Sequence, residues 1–312
     1  MDESKKFGLR DLANLSALEN QQDSEINRIA VVGSGTIGKG LAQAISESGL
    51  EVVLVGKDKQ LLDEALKKIS EGLDREIARW AMTAADKKSI LSRIEGTTNL
   101  EKVETCEVII SAIDEDLHSK LTLFAKLDNI CPPETIFVTN TSTLSVTELA
   151  ASTRREDKFI GMHFLNPVPK VPLVEVVRGL KTSDVTFQKM QQVAEKLKKT
   201  PVEVFESPGY VTTRVIISML NEAMHLLMEG VASAEGIDTA IKLGFNFPEG
   251  PLSLADRMGL DQVMSWMEGL FRELGDLKYR PCPLLRKLVR AGQLGMKSGR
   301  GFFIYDENGK KL

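Results

Sequence analysis

Arg28-Ile29-Ala30-Val31-Val32-Gly33-Ser34-Gly35-Thr36-Ile37-Gly38 joins an apolar run to a glycine-rich turn and then to a helical pattern in which Ile37, Leu41, Ala44 and Ile45 share one face. In a strand-turn-helix context, each glycine has a separate physical task. Gly33 permits the tight turn, Gly35 lets backbone approach a pyrophosphate, and Gly38 allows the helix to pack close to the strand. The helix start adds the positive end of its dipole, so Thr36 and Ile37 become candidate phosphate contacts. The segment therefore predicts a dinucleotide-binding βαβ unit.

Beyond it the alternation continues, with strands predicted at Val52 to Val55, Val108 to Ile113 and Thr135 to Val138, each preceded by helical periodicity. This pattern requires a parallel sheet with crossover helices. About fifty residues separate the second and third of these strands, and they contain the capping box Thr83-Ala-Ala-Asp86, which predicts a projecting helical hairpin. Two further strands, Phe159 to Phe164 and Leu173 to Val177, flank Pro167, Pro169 and Pro172, and a helix and a short strand end near Phe205. After Ser207-Pro208-Gly209 only helical periodicity remains. The expectation is a Rossmann-like doubly wound α/β domain over 28–206, an all-helical domain over 207–312, and an N-terminal extension over 1–27.

The chain has 312 residues, 42% of them apolar, and a net charge of -4. It can fill a sizeable core but offers no global field for nucleic acid or an anionic membrane. No apolar run reaches the roughly 18 residues of a membrane span. Cys106, Cys131 and Cys282 are odd in number and far apart, which fits neither a disulfide framework nor a metal site and points to a reducing compartment. With an acidic N-terminal segment that lacks a signal core, a cytoplasmic protein is expected.

An acid normally ends the second strand of an NAD-binding domain, where it bonds the ribose hydroxyls. Here the position reads Gly56-Lys57-Asp58. The usual repulsion of a 2'-phosphate is missing, Lys57 can attract one, and Asp58 can still reach the ribose, so both NAD and NADP stay open as cofactor. Among three histidines, His163 lies twelve residues before Glu175. A chain reversal centred on Pro169 makes them antiparallel neighbours, with Cβ atoms about 5 Å apart. Glu175 shares its strand face with Leu173 and Val177, and a buried carboxylate needs a partner. The pair fixes the imidazole tautomer and suits a base that accepts a hydroxyl proton. A purely structural pair is the competing reading. Lys196, Lys198 and Lys199 close a helix and are expected to complement its dipole.

Asn140-Thr141-Ser142, His163-Phe164-Leu165-Asn166-Pro167-Val168-Pro169, Leu173-Val174-Glu175-Val176-Val177, Gly250-Pro251-Leu252-Ser253-Leu254-Ala255-Asp256 and Gly295 to Phe303 resemble the L-3-hydroxyacyl-CoA dehydrogenase family, in particular its bacterial 3-hydroxybutyryl-CoA branch. The resemblance runs from about Arg28 to Tyr305. It implies that His163 is the general acid/base, that Glu175 orients it, that Ser142 bonds the reacting oxygen and that Asn166 positions the substrate. It further implies that Asn140 holds the nicotinamide carboxamide, that Ala112, Ile113, Glu115 and Lys120 lie at the cofactor, that Arg79 on the hairpin meets coenzyme A, and that the helical domain makes a homodimer. Two departures are visible. Gly56 replaces the strand-end acid, and Thr213 replaces the substrate-pocket Asn of the Pro-Gly-Phe-x-x-Asn-Arg segment. The second admits a substrate carried on acyl carrier protein. A crystallin-like or regulatory dinucleotide binder without turnover is the alternative of another class.

Overall fold

The computed structural model describes residues 25–312. The arm expected over 1–27 lies outside them except for its last three residues. The first unit is β1 (Arg28–Val32), α1 (Thr36–Glu47) and β2 (Glu51–Val55), with Gly49 at φ 90° turning the chain between α1 and β2. The expected hairpin follows as α2 (Lys59–Ala78) and α3 (Ala84–Ser92), and Thr83 and Asp86 close the capping box at the start of α3. A strand absent from the sequence reading, β3 (Ile94–Thr97), comes next. Its Ile-Glu-Gly-Thr sequence has no apolar alternation because it is a short edge strand, paired by backbone to β2 on one side only.

The chain then crosses to β4 (Val108–Ser111), α4 (Leu117–Ile130), β5 (Ile136–Thr139), α5 (Val146–Ala150), β6 (Phe159–Phe164), β7 (Leu173–Arg178), α6 (Asp184–Lys196) and β8 (Thr200–Phe205). One sheet results, in the order β3-β2-β1-β4-β5-β6-β7-β8. Pairing is parallel from β3 to β6, antiparallel between β6 and β7, and parallel again between β7 and β8. After β1 the chain builds outward through β2 and β3, then returns to the other side of β1 as β4. The crevice at that reversal is where a doubly wound sheet binds its ligand.

Successive residues of a strand face opposite sides, so β1 feeds two cores. Ile29 and Val31 pack with Leu41 and Ile45 of α1, whereas Ala30 and Val32 belong to the opposite cluster with Phe124, Phe137 and Phe159. The third core lies within α7 (Thr212–Met228), α8 (Ala234–Gly244), α9 (Pro251–Met258), α10 (Leu260–Leu274) and α11 (Pro283–Arg290), where Leu220, Met224, Leu252, Leu270 and Leu285 meet. No helix among the described residues is long and apolar enough to cross a membrane.

Candidate active site

The glycine turn has the geometry its sequence requires. Gly33 adopts φ 113° and donates its N–H to Val55 O at 2.8 Å. A Cβ on Gly33 would lie 2.6 Å from Ala112 O, and one on Gly38 would lie 1.7 Å from Gly33 O. Only glycine permits either approach. At Gly35 a Cβ would meet nothing within 4 Å, and α1 begins there with no side-chain cap. Its orphan first-turn N–H groups, at Thr36 and Ile37, thus fit an anionic group brought to the crevice. Ala112 and Ile113 form the half-buried opposite wall.

At the end of β2, Gly56 is buried, and a Cβ there would sit 2.8 Å from Leu62 Cβ. Lys57 and Asp58 are exposed. Asp58 already caps α2, its Oδ1 accepting the N–H of Leu61 at 2.8 Å. Glu115 and Lys120 brace the walls of the crevice. Lys120 is fully buried and donates to Asn140 O at 3.0 Å and Ile113 O at 3.4 Å. Burial lowers its amine below the ordinary lysine value against the pull of Glu115 and Asp114. Asn140 accepts the N–H of Phe164 at 3.0 Å through Oδ1, which ties the end of β5 to that of β6.

His163 and Glu175 occupy directly opposed positions of β6 and β7. Both are nearly inaccessible to solvent, at 3% and 1% exposure. Imidazole Nδ1 lies 2.6 Å from Glu175 Oε2, and Nε2 lies 3.2 Å from Ser142 Oγ. Glu175 is further held by the N–H groups of Val211 and Thr212 on Oε1, each at 2.9 Å, and by the Thr212 hydroxyl on Oε2 at 2.6 Å. Burial pushes its carboxyl up, but the bonds from His163 and Thr212 outweigh burial and leave it below the ordinary glutamate value. A carboxylate can only accept, so Nδ1 carries the proton and donates it, and Nε2 of the neutral ring keeps its lone pair for the Ser142 hydroxyl or a substrate.

Asn166 lies exposed at the edge of a cleft of about 290 Å³ that also takes in Thr36 of the glycine turn and Arg79 at the end of α2. Lys39, Lys68, Arg75 and Lys170 join Arg79 around it, with Glu76 the opposing charge. Burial and the neighbouring Lys68 hold the Lys39 amine below its usual value. Thr213 is buried in the first turn of α7, next to Thr212, which makes the contact with Glu175. Nothing in the sequence distinguished Thr212, because its role appears only when the helical domain is docked against β7.

Lys199 corrects its sequence reading. It lies beyond the end of α6 and is buried, and its ammonium donates to Val168 O at 2.5 Å and Val171 O at 2.7 Å instead of to the helix. It thereby fastens the proline-rich segment that follows Asn166.

The family model for the 3-hydroxyacyl-CoA dehydrogenase NAD binding domain matches residues 28–207, and that for the 3-hydroxyacyl-CoA dehydrogenase C-terminal domain matches residues 209–305. The 3-hydroxybutyryl-CoA dehydrogenase of Clostridioides difficile is 45% identical over 280 residues, which cover 90% of this chain and 100% of the relative. The human mitochondrial hydroxyacyl-coenzyme A dehydrogenase is 37% identical over 288 residues, covering 90% and 91% of the two chains. The crystal structure of (S)-3-hydroxybutyryl-CoA dehydrogenase from Ralstonia eutropha superposes with a TM-score of 0.87 at 44% identity, over 90% of this chain and 100% of that one.

Proposed function

The chain belongs to the 3-hydroxyacyl-CoA dehydrogenase family, and from that premise we propose that it interconverts L-3-hydroxyacyl-CoA and 3-oxoacyl-CoA, with 3-hydroxybutyryl-CoA as its short-chain substrate. The observation that carries this reading is the line of contacts from Ser142 Oγ through His163 to Glu175. A bound nicotinamide dinucleotide supplies the hydride acceptor, and Gly33, Gly35, Thr36, Ile37 and Gly38 are the residues that would hold its pyrophosphate, with Asn140 toward the nicotinamide.

In the oxidative direction, His163 Nε2 accepts the proton of the 3-hydroxyl while Glu175 stabilises the resulting positive charge through Nδ1. Ser142 donates to the reacting oxygen, and Asn166 donates to the thioester carbonyl, so charge that develops there meets a preorganised donor. The basic side chains around the cleft, Arg79 among them, complement the phosphates of coenzyme A. Thr213 stands where the family pattern has an amide and carries a shorter side chain. Gly56 and Lys57 support weak discrimination between NADH and NADPH or a tilt toward NADPH. Exposed Val215, Leu243 and Phe245 on the helical domain support a homodimer built through it.

The reading is tested by initial rates with acetoacetyl-CoA and longer 3-oxoacyl-CoA thioesters, each with NADH and NADPH, and with the same acyl groups on acyl carrier protein. Turnover on coenzyme A thioesters is expected. In His163→Gln, kcat should fall by about 10²- to 10⁴-fold, as for a lost general base, with dinucleotide affinity nearly unchanged. Normal turnover by this variant would sink the assignment. Faster turnover on the carrier protein would move the substrate class, and dinucleotide binding without turnover on either would leave a non-catalytic binder.

A further inference from the structure

Four donors converge on the Glu175 carboxylate, and three of them come from the first turn of the helical domain. Helix α7 has Val211 at its N-cap position and no cap from its own side chains, and Glu175, from the sheet, takes that place. The Thr212 hydroxyl does more than cap. It donates to Oε2, the same oxygen that receives His163 Nδ1–H, and both bonds measure 2.6 Å.

We infer that Thr212 is a positioning residue of the reaction, whose hydroxyl fixes the Glu175 carboxylate and limits how strongly it holds the proton on His163. The inference rests on His163 being the base. Two donors on one oxygen compete for its charge, so removal of the hydroxyl leaves Oε2 to the imidazole alone, and the protonated ring becomes more favourable.

Ser142, Glu206 and Arg214 around the dyad have partners of their own, whereas the buried Tyr210 hydroxyl has no hydrogen-bond partner among the described residues. Ser142 faces Nε2, and its backbone is held by Glu115. Tyr210 packs its ring 5.5 Å from the imidazole. It sits in the field of Glu115, Glu206 and Glu175, and burial and those carboxylates keep its phenol protonated. Glu206 is engaged by the N–H of Thr147, and Arg214, in the first turn of α7, bonds Tyr279 and Ser207. Thr212 is thus the side chain of the helical domain that bonds the carboxylate directly.

The experiment compares wild type with Thr212→Val, which keeps the shape and removes the donor. NMR titration of the ring nitrogens of His118, His163 and His225 in the ligand-free protein gives a readout that needs no substrate. In Thr212→Val the His163 midpoint should rise by about half to one pH unit. The acidic limb of kcat/KM for 3-hydroxyacyl-CoA oxidation should move up with it, because the base must be neutral. At neutral pH, kcat should fall by about 3- to 10-fold, with KM for dinucleotide unchanged. Thr212→Ser should restore both profiles, and Thr212→Ala carries the same expectation as valine should valine disturb the turn.

An unmoved or lowered His163 midpoint overturns the inference and reduces Thr212 to a packing residue. A raised midpoint in a protein that turns over no 3-hydroxyacyl thioester leaves Thr212 in place and removes the functional reading instead.

Discussion

Glu115 Oε1 accepts the backbone N–H of Ser142 at 2.8 Å, and the same oxygen receives the Thr141 hydroxyl at 2.6 Å and the Thr143 N–H at 3.0 Å. A carboxylate from the loop after β4 therefore shapes the loop after β5 and fixes where Ser142 stands relative to His163. Because one oxygen serves all these donors, an amide can replace the acid there. Glu115→Gln is expected to retain kcat to within about 3-fold, whereas Glu115→Ala frees the loop and should lower it by about 10- to 100-fold, the scale of a misplaced reacting group. Steady-state kinetics of the two variants check this. A severe loss in Glu115→Gln would show that its charge acts on the dinucleotide directly.

Glu175→Gln keeps one acceptor oxygen and turns the other into an NH₂ group, so either the His163 Nδ1–H or the backbone N–H groups of Val211 and Thr212 lose their acceptor in a buried place. The loss should be about 1–3 kcal/mol of stability, with kcat reduced as well. The pH dependence has a definite sign. The carboxyl of Glu175 lies below the ordinary glutamate value in the folded protein, so its contribution is complete above about pH 4.3 and is lost as pH falls through the folded value. The melting temperature of wild type should exceed that of Glu175→Gln most at pH 7, and the gap should close on acidification below that point. A gap that is constant from pH 7 to pH 3 would mean that the carboxylate form is not what the fold uses.

The legible parts of this protein are those where side-chain period and backbone geometry agree. The glycine spacing specified the turn because Gly33 and Gly38 meet backbone at distances no Cβ permits. The His163 and Glu175 pair was legible because period-two alternation and a proline-rich reversal between them fix an antiparallel register. By contrast, β3 is held by backbone pairing, which leaves no apolar signature. Lys199 resembled a helix-end cation because its partners, Val168 O and Val171 O, are some thirty residues away along the chain. Thr212 gains meaning only through the docking of α7 on β7.

Gly56 bears on cofactor choice in a way the sequence does not reveal. A side chain added there would run into Leu62, so the missing acid cannot be restored by a single substitution at that position. Charge at Lys57 is the accessible control, since that side chain is exposed at the end of β2. Lys57→Glu should lower kcat/KM with NADPH by about 10-fold or more relative to NADH, through repulsion of the 2'-phosphate. The ratio of the two specificity constants measures it, and a ratio equal to that of wild type would place the 2'-phosphate site elsewhere.

Lys199 tests whether the segment after Asn166, proposed to meet the substrate, is held from beneath. Its ammonium is buried against two carbonyls of the segment that follows Asn166, and burial lowers it from the ordinary lysine value against the pull of Glu47. In Lys199→Met the apolar stem stays and the donors go. The buried Val168 carbonyl and the part-buried Val171 carbonyl then lose this donor, which should cost about 1–3 kcal/mol. The loss falls on the loop and not on the dinucleotide turn, because Val168 packs against Gly40 of α1 while Gly33 and Gly38 keep their own contacts. The variant should therefore melt at a lower temperature and show a KM for the thioester raised by about 3- to 10-fold, with dinucleotide KM near that of wild type. Arginine at the position should not rescue it, since a planar guanidinium cannot fit the small space that an ammonium fills between two carbonyls. Equal increases in both KM values would show instead that loop and crevice loosen as one unit.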